Sequence, residues 1–367
     1  MSTTDIRYMR LALSLGARGL GQVWPNPAVG CVIVSAGRIV GRGWTAPGGR
    51  PHAETRALEQ AGARARGATA YVTLEPCAHH GRTPPCADAL VSAGVARVVV
   101  AMRDPDPRVN GQGIARLGAA GLQVVEGVLG DAAQQAHAGF VRRVVAGRPL
   151  VTLKQAASLD GRIATAGGES RWITGPEARR AVHGMRARHD AVLVGGGTAR
   201  ADDPALSVRG MGTMHQPVRV VMSRRPDLPL AGQLAQSART QPLWLVHDER
   251  AEKPVLDAWA GLGARLFACP TGSDGQLDPS AALAALGEAG LTRVFCEGGG
   301  ALAASLLGAG LVDELAVFSA GLAIGAEGQA MLGALGLRRL AAAPRFTLVD
   351  TRPLGADVLS RWRRQPG

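Results

Sequence analysis

The segment from Pro51 to Cys86 constrains this chain more than any other. It reads Pro51-His52-Ala53-Glu54, then Glu75-Pro76-Cys77-Ala78-His79-His80-Gly81-Arg82-Thr83-Pro84-Pro85-Cys86. One His and two Cys form a ligand set for Zn²⁺, and three protein ligands leave the fourth tetrahedral position open to water. The metal lowers the pKa of such a water toward neutrality. Glu54 is then a spare carboxylate, able to move protons without binding the metal. A fold that uses these residues must bring position 52 to positions 77 and 86. Two bland alternatives stand beside this reading. His79 or His80 closes a four-ligand structural site, or each Cys is simply a small buried hydrophobe. The prolines beside both cysteines and the polar insert from His79 to Pro85 argue against core filling.

An H-x-E followed by P-C is the signature of zinc deaminases acting on nucleobases. Here eight residues separate Cys77 from Cys86 rather than two, and the insert is long enough to wall a substrate over the metal. Local patterning supports this arrangement. Thr3 or Thr4 caps a helix with Ile6, Met9 and Leu13 on one face. Val29 to Val34 and Arg38 to Trp44 read as a hairpin around Ser35-Ala36-Gly37. Pro51 opens a helix whose first turn holds His52 and Glu54, with Ala57, Leu58 and Ala61 inward. Ala70 to Leu74 is a strand running into Pro76-Cys77, and Pro85 starts a helix headed by Cys86. Two helix N-termini thus converge on the metal, where their positive ends favour thiolate. Strands at Val98 to Ala101 and Val124 to Val128, with a helix from Gly113 to Ala120 between them, complete an α/β layer domain.

The chain has 367 residues, enough for two or three domains. Ala146-Gly147-Arg148-Pro149 breaks a helix near 131 to 145, so the expected domains are 1–146 and 147–367. The second reads as strands at Leu150 to Ala156, Ala191 to Val194, Val218 to Met222, Leu243 to Val246, Arg293 to Cys296 and Leu315 to Ser319. Two more follow at Phe346 to Asp350 and Val358 to Trp362, and a helix runs from Pro176 to about Arg188. Gly195-Gly196-Gly197 and Gly298-Gly299-Gly300 follow strands, and the second opens a helix from Ala301 to Leu307. Such a helix start holds phosphate on backbone N–H groups, although a tight strand-to-helix turn explains a triplet equally well. Neither completes G-x-G-x-x-G.

No apolar stretch is long enough for a membrane span, and the N-terminus lacks the pattern of a signal peptide. Five cysteines make no disulfide framework, which points to a reducing, cytoplasmic setting. The net charge of +12 invites a nucleic-acid reading. The basic residues are almost all Arg, however, spread along the chain, with few aromatics to stack on bases. An anionic small substrate also calls for Arg.

Pro25-Asn26-Pro27-Ala28-Val29-Gly30-Cys31-Val32-Ile33-Val34, together with His52-Ala53-Glu54 and the long Pro-Cys loop, resembles the deaminase half of the bifunctional riboflavin-biosynthesis deaminase/reductases. Lys154, Ser158-Leu159-Asp160-Gly161, Gly168-Glu169-Ser170-Arg171-Trp172-Ile173-Thr174, Thr198-Ala199-Arg200-Ala201-Asp202-Asp203-Pro204-Ala205-Leu206 and Glu297-Gly298-Gly299 resemble the reductase half. The resemblance implies a cytidine-deaminase-like α/β/α domain followed by a dihydrofolate-reductase-like α/β domain. It implies one Zn²⁺ on His52, Cys77 and Cys86, Glu54 as proton shuttle, and Asn26, His79, Arg82 and Asp104 on the deaminase substrate. For NADPH it implies Ala156, Trp172, Thr198, Asp202 and the turn Gly299, Gly300, Ala301, Leu302, Ala303, Ala304 and Ser305. For the phosphoribosyl substrate it implies Lys154, Ser170, Arg186, Leu206, Arg209 and Glu297.

Two positions depart from the family pattern. Asp106 stands where relatives usually have Asn, and an Asp cannot donate the amide hydrogen bonds of Asn. Ser223-Arg224-Arg225 stands where relatives often have Asp-Ser, which makes Arg224 or Arg225 a candidate for the 2′-phosphate of NADPH. Asp202 and Lys154 are the candidate proton donors in the reduction. The implied activity is hydrolytic deamination of a phosphorylated diaminopyrimidine, then reduction of its ribosyl group. The expected partners are small phosphorylated pyrimidines and a homo-oligomeric partner copy, with no nucleic acid and no membrane. A nucleic-acid nucleobase deaminase leaves the second domain idle, and a non-catalytic zinc-binding regulator predicts zinc without turnover.

Overall fold

The computed structural model describes residues 2–79, 84–107, 109–212 and 214–365. The chain divides into two compact units, Met1–Gly147 and Arg148–Gly367.

The first unit is built on strands β1 (Gly30–Ser35), β2 (Arg38–Trp44), β3 (Thr69–Val72), β4 (Arg97–Val100) and β5 (Gln123–Glu126). Their order is β2-β1-β3-β4-β5. β1 is antiparallel to β2 and β3, and β3, β4 and β5 run parallel. Alternation along the strands sends Cys31, Ile33, Ala70, Val72, Val98 and Val100 into one core cluster. Val32, Val34, Tyr71 and Val99 enter the other. Among the described residues the α-helices are α1 (Thr3–Gly16), α2 (Ala53–Ala61), α3 (Cys86–Ser92), α4 (Gln112–Ala119), α5 (Gly130–Ala136) and α6 (Ala138–Ala146). Ala53, Ala57 and Ala61 of α2 and Leu90 of α3 fill the first cluster, while Tyr8 and Met9 of α1 and Ala133 of α5 fill the second. The result is an α/β/α sandwich.

Local chemistry sets the ends. Ser2, not Thr3 or Thr4, caps α1, its Oγ accepting the Asp5 N–H at 3.1 Å. The hairpin turn places Ala36 and Gly37 at φ 46° and 74°, as a two-residue connection between right-twisted strands requires. The single helix expected near 131 to 145 is two, α5 and α6, meeting at His137.

The second unit carries β6 (Leu150–Ser158), β7 (Arg162–Ala164), β8 (Ala191–Gly195), β9 (Val218–Met222), β10 (Leu243–Asp248), β11 (Arg265–Cys269), β12 (Arg293–Cys296), β13 (Glu314–Ala320), β14 (Gln329–Ala330), β15 (Phe346–Leu354) and β16 (Asp357–Arg364). Nine of these form one sheet, ordered β11-β10-β9-β8-β12-β6-β13-β16-β15, and β7 pairs with β14. The strands run parallel from β11 to β13, and the β15–β16 hairpin adds antiparallel to β13. Helices α7 (Pro176–Arg186), α8 (Gly196–Asp202), α9 (Gln233–Gln236), α10 (Lys253–Gly261), α11 (Pro279–Glu288) and α12 (Gly300–Gly308) connect them. The central strands read as continuous apolar runs, Val192 to Val194 and Val220 to Met222 being buried throughout, as parallel strands covered on both faces must. Asp190 pins the start of β12, accepting from the Thr292 N–H, the Thr292 hydroxyl and the Arg293 N–H.

Candidate active sites and family

In the first unit the two helix heads converge as the spacing requires. His52 is the N-cap of α2, and Glu54 sits in its first turn, 3 % exposed. Cys86 is the first residue of α3, with Pro85 as its N-cap. Cys77 lies in the loop after β3, and its Sγ accepts the Cys86 N–H at 3.3 Å. His52 Nδ1 lies 3.2 Å from Cys86 Sγ and 3.7 Å from Cys77 Sγ. The three donor atoms fall within 4.8 Å of one another. A tetrahedral zinc at ~2.3 Å from sulfur and ~2.0 Å from nitrogen needs N and S about 3.5 Å apart, so this donor set fits the ion. Cys77 is held down to about 4, first by its hydrogen bond with Cys86 and then by His52, while Cys86 is pushed up. Burial raises the Glu54 carboxyl to about 7, against the pull of His52.

Around this centre, Asn26 is half-buried, and its Nδ2 lies only 1.8 Å from where a Cβ on Gly49 would be. Only glycine leaves that space three residues ahead of His52. Asp104 is 7 % exposed, accepts the Asp106 N–H at 2.9 Å, and is raised to about 6, chiefly by burial. Asp106 is buried as well. His79 is exposed, while His80 and Arg82 lie outside the described residues.

One contributor is not legible in the motif. Glu75 accepts the backbone N–H groups of Asp104, Gly111, Gly113 and Ile114 at 2.9–3.2 Å. It thereby fixes the loop that carries Asp104.

In the second unit, Lys154 and Arg186 both act electrostatically on Glu297, the residue after β12. Lys154 lies on β6, where burial holds its amine below the ordinary lysine value against the pull of Glu297. Arg186, the last residue of α7, grips Glu297 through Nε and Nη2 at 2.5 and 3.0 Å. Its Nη1 donates to the Ser207 carbonyl at 2.8 Å. The guanidinium of Arg186, a residue that the resemblance assigns to the phosphoribosyl substrate, is committed to these partners. Arg209 is exposed, Leu206 is buried and Ser170 is half-buried.

Both glycine turns are strand-to-helix turns, opening α8 and α12. The Gly299 N–H donates to Thr198 Oγ1 at 3.3 Å and so ties one to the other. Beside them is a cleft of about 950 Å³. Ala301, Leu302, Ala304 and Ser305 of α12 line it, opposite Gly195 to Gly197, with Ser223, Arg224 and Arg225 after β9. Arg224 Nη1 donates to the Gly275 carbonyl at 3.0 Å. Gly300 sits where a Cβ would fall 2.7 Å from the Ala330 carbonyl oxygen, and Ala303 is fully buried. Ala156, Trp172, Thr198 and Asp202 lie outside this cleft's lining. Trp172 is 68 % exposed, with the Arg179 guanidinium 4.4 Å over its ring. Asp202 ends α8, exposed.

Residues 2–102 match the family model of the cytidine and deoxycytidylate deaminase zinc-binding region, and residues 149–360 match that of the RibD C-terminal domain. The chain belongs to the RibD family. It is 43 % identical to the riboflavin biosynthesis protein RibD of Escherichia coli, over 96 % of this chain and 98 % of that one. It is 39 % identical to the RibD of Aquifex aeolicus, over 98 % of each. Among solved structures, Acinetobacter baumannii RibD superposes with a TM-score of 0.89 at 40 % identity, covering 99 % of both chains. A Thermotoga maritima structure is described as a diaminohydroxyphosphoribosylaminopyrimidine deaminase/5-amino-6-(5-phosphoribosylamino)uracil reductase. It gives 0.86 at 33 % identity, again over 99 % of both. As a RibD-family member the chain is a bifunctional deaminase and reductase of riboflavin biosynthesis, with Zn²⁺ and NADPH as cofactors. Its second unit has the dihydrofolate-reductase-like fold of the family. The nucleic-acid deaminase and non-catalytic regulator readings are set aside.

Proposed function

We propose that the first unit replaces an amine of a diaminopyrimidine phosphoriboside by oxygen, consuming water and releasing ammonia. The second unit then reduces the ribosyl carbon of the resulting 5-amino-6-(5-phosphoribosylamino)uracil, opening the sugar to a ribityl chain. The observation that carries the first half is the convergence of His52, Cys77 and Cys86 within 4.8 Å beside buried Glu54. Lewis acidity is what zinc supplies at those three ligands, and hydride is what NADPH supplies in the second unit.

The chain's own residues do the rest. Glu54 takes a proton from the incoming water on its carboxylate and returns it to the departing amine. Asn26, His79, Arg82 and Asp104 hold the pyrimidine, and Asp106 accepts where an Asn would also donate. In the second unit Lys154, Ser170, Leu206, Arg209 and Glu297 hold the phosphoribosyl group. Because Arg186 is committed to Glu297, its part is to aim that carboxylate at ribose hydroxyls, which leaves the phosphate to Arg209. Lys154, half-buried and drawn electrostatically by Glu297, is a better-placed proton donor than exposed Asp202. NADPH lies along Ala156, Trp172, Thr198, Asp202 and the 299–305 turn, with Arg224 on its 2′-phosphate. The substrates are small phosphorylated pyrimidines, the setting is the cytoplasm, and the assembly is a homo-oligomer.

His52→Ala and Cys86→Ser test the metal assignment. Each is expected to lose bound zinc and ammonia release yet still oxidise NADPH on the deaminated substrate. Undiminished ammonia release from a zinc-free variant overturns it. For Arg224, loss of one charged contact to phosphate predicts an NADPH-over-NADH preference about 10- to 100-fold weaker in Arg224→Ala. An unchanged preference removes Arg224 from the cofactor site.

A further inference from the structure

The segment Leu206–Arg209 is held in an uncommon shape by contacts from two sides. Leu206 has φ 52°, in the left-handed region that a leucine occupies only when its surroundings impose it. From α7, His183 Nδ1 accepts the Arg209 N–H at 3.2 Å, and Arg186 Nη1 reaches the Ser207 carbonyl at 2.8 Å. From the other side, Gln216 closes a two-bond pair on Val208. Its Oε1 accepts the Val208 N–H at 2.8 Å, and its Nε2 donates to the Val208 carbonyl at 3.1 Å. Leu206 and Val208 are buried, while Arg209 is exposed.

We propose that His183 and Gln216 are positioning residues of the reductase site, clamping this segment so that Leu206 and Arg209 meet the phosphoribosyl substrate. The proposal rests on the reading that those two residues contact that substrate. His183 can act so only as a neutral ring with a free lone pair on Nδ1. Burial, with Arg186 and Arg209 beside it, holds the ring below the ordinary histidine value, so the acceptor is present at neutral pH. Gln216 is a fixed acceptor–donor pair matched to a backbone N–H and C=O, and neither residue needs to touch substrate.

The test uses the full zinc-loaded chain and steady-state reduction of 5-amino-6-(5-phosphoribosylamino)uracil. His183→Ala and Gln216→Leu are each expected to raise the KM for that substrate about tenfold, the effect of losing a positioned hydrogen bond. The kcat, the KM for NADPH and ammonia release should stay near wild type. An Asn side chain places its Oδ1 where Nδ1 of His stands, so His183→Asn is expected to restore the wild-type KM, and His183→Gln is not. Arg209→Ala separates the two layers of the argument. If it leaves the KM unchanged, the underlying reading of the segment as a substrate contact fails. If it raises the KM while His183→Ala and Gln216→Leu do not, the clamp fails and the reading stands. An Asn variant as impaired as the Ala variant also overturns the clamp.

Discussion

Glu75 gives its whole carboxylate to four backbone N–H groups, and this makes it a test of how the deaminase wall is built. A Gln there keeps one oxygen and turns an NH₂ toward donors that need an acceptor. Leaving buried donors unpaired costs about 1–3 kcal/mol. Glu75→Gln is therefore expected to lower the melting temperature of the first unit and slow ammonia release, with NADPH oxidation on the deaminated substrate unchanged. Normal ammonia release would show that the Asp104 loop is held by something else. His189 gives a pH prediction in the second unit. It is buried, one ring nitrogen 2.8 Å from the Met185 carbonyl and the other 3.0 Å from Thr152 Oγ1. Burial depresses its pKa from 6.5 to about 3. Below pH 6.5 the unfolded chain takes up this proton before the folded one. Stability of the second unit should fall as pH drops from about 6.5 toward 3, by up to ~1.4 kcal/mol per unit from this group. Denaturant midpoints at pH 7 and pH 5 should differ more in the wild type than in His189→Gln, and an equal difference excludes His189 as the cause.

Helix α2 brings His52 and Glu54 to the metal because it lies unusually close to β2. A Cβ on Gly41 would fall 2.1 Å from the Ala57 carbonyl oxygen, and one on Gly43 2.0 Å from that of Ala53. The small faces of helix and strand are thus a single device. Gly43→Ala must push α2 outward, at a cost of about 1–3 kcal/mol as for other overpacked sites, and is expected to weaken zinc retention. Equilibrium dialysis showing wild-type zinc affinity would contradict this. Such packing was not legible from the chain, where Gly41 and Gly43 read only as strand residues. What the patterning did reveal were elements with strong apolar runs or sharp starts. β9 and β12 fall at the expected residues, and His52 and Cys86 stand at helix heads. Half-exposed β11, short β7 and β14, and helices α8 to α11 carry weaker periodicity, and α8 opens on glycines, which in sequence mark a turn as readily as a helix. Pairings between distant positions, Glu75 with the 104–114 backbone and Arg186 with Glu297, leave no mark in local sequence because each partner is ordinary alone.

The whole chain combines a metal-site sandwich and a parallel-sheet unit with a glycine-turn cleft, and each has its own core. Among the described residues no helix is long and apolar enough to cross a membrane. The charge of +12 is largely arginine, and several arginines are committed to internal carboxylates: Arg97 to Asp5, Arg148 to Asp313 and Arg186 to Glu297. Those three arginines are spent on pairs within the fold, whereas a phosphate backbone needs a contiguous exposed basic patch. Deamination and reduction belong to different units of the chain, and Glu54→Gln separates the two. Given the diaminopyrimidine phosphoriboside and NADPH, the variant should retain zinc, release ammonia about 10²- to 10⁴-fold more slowly, and oxidise NADPH no faster than it deaminates. Given the deaminated uracil, it should oxidise NADPH at the wild-type rate. Wild-type ammonia release, or failure to reduce the supplied uracil, would show that Glu54 and the two units do not divide the reactions in this way.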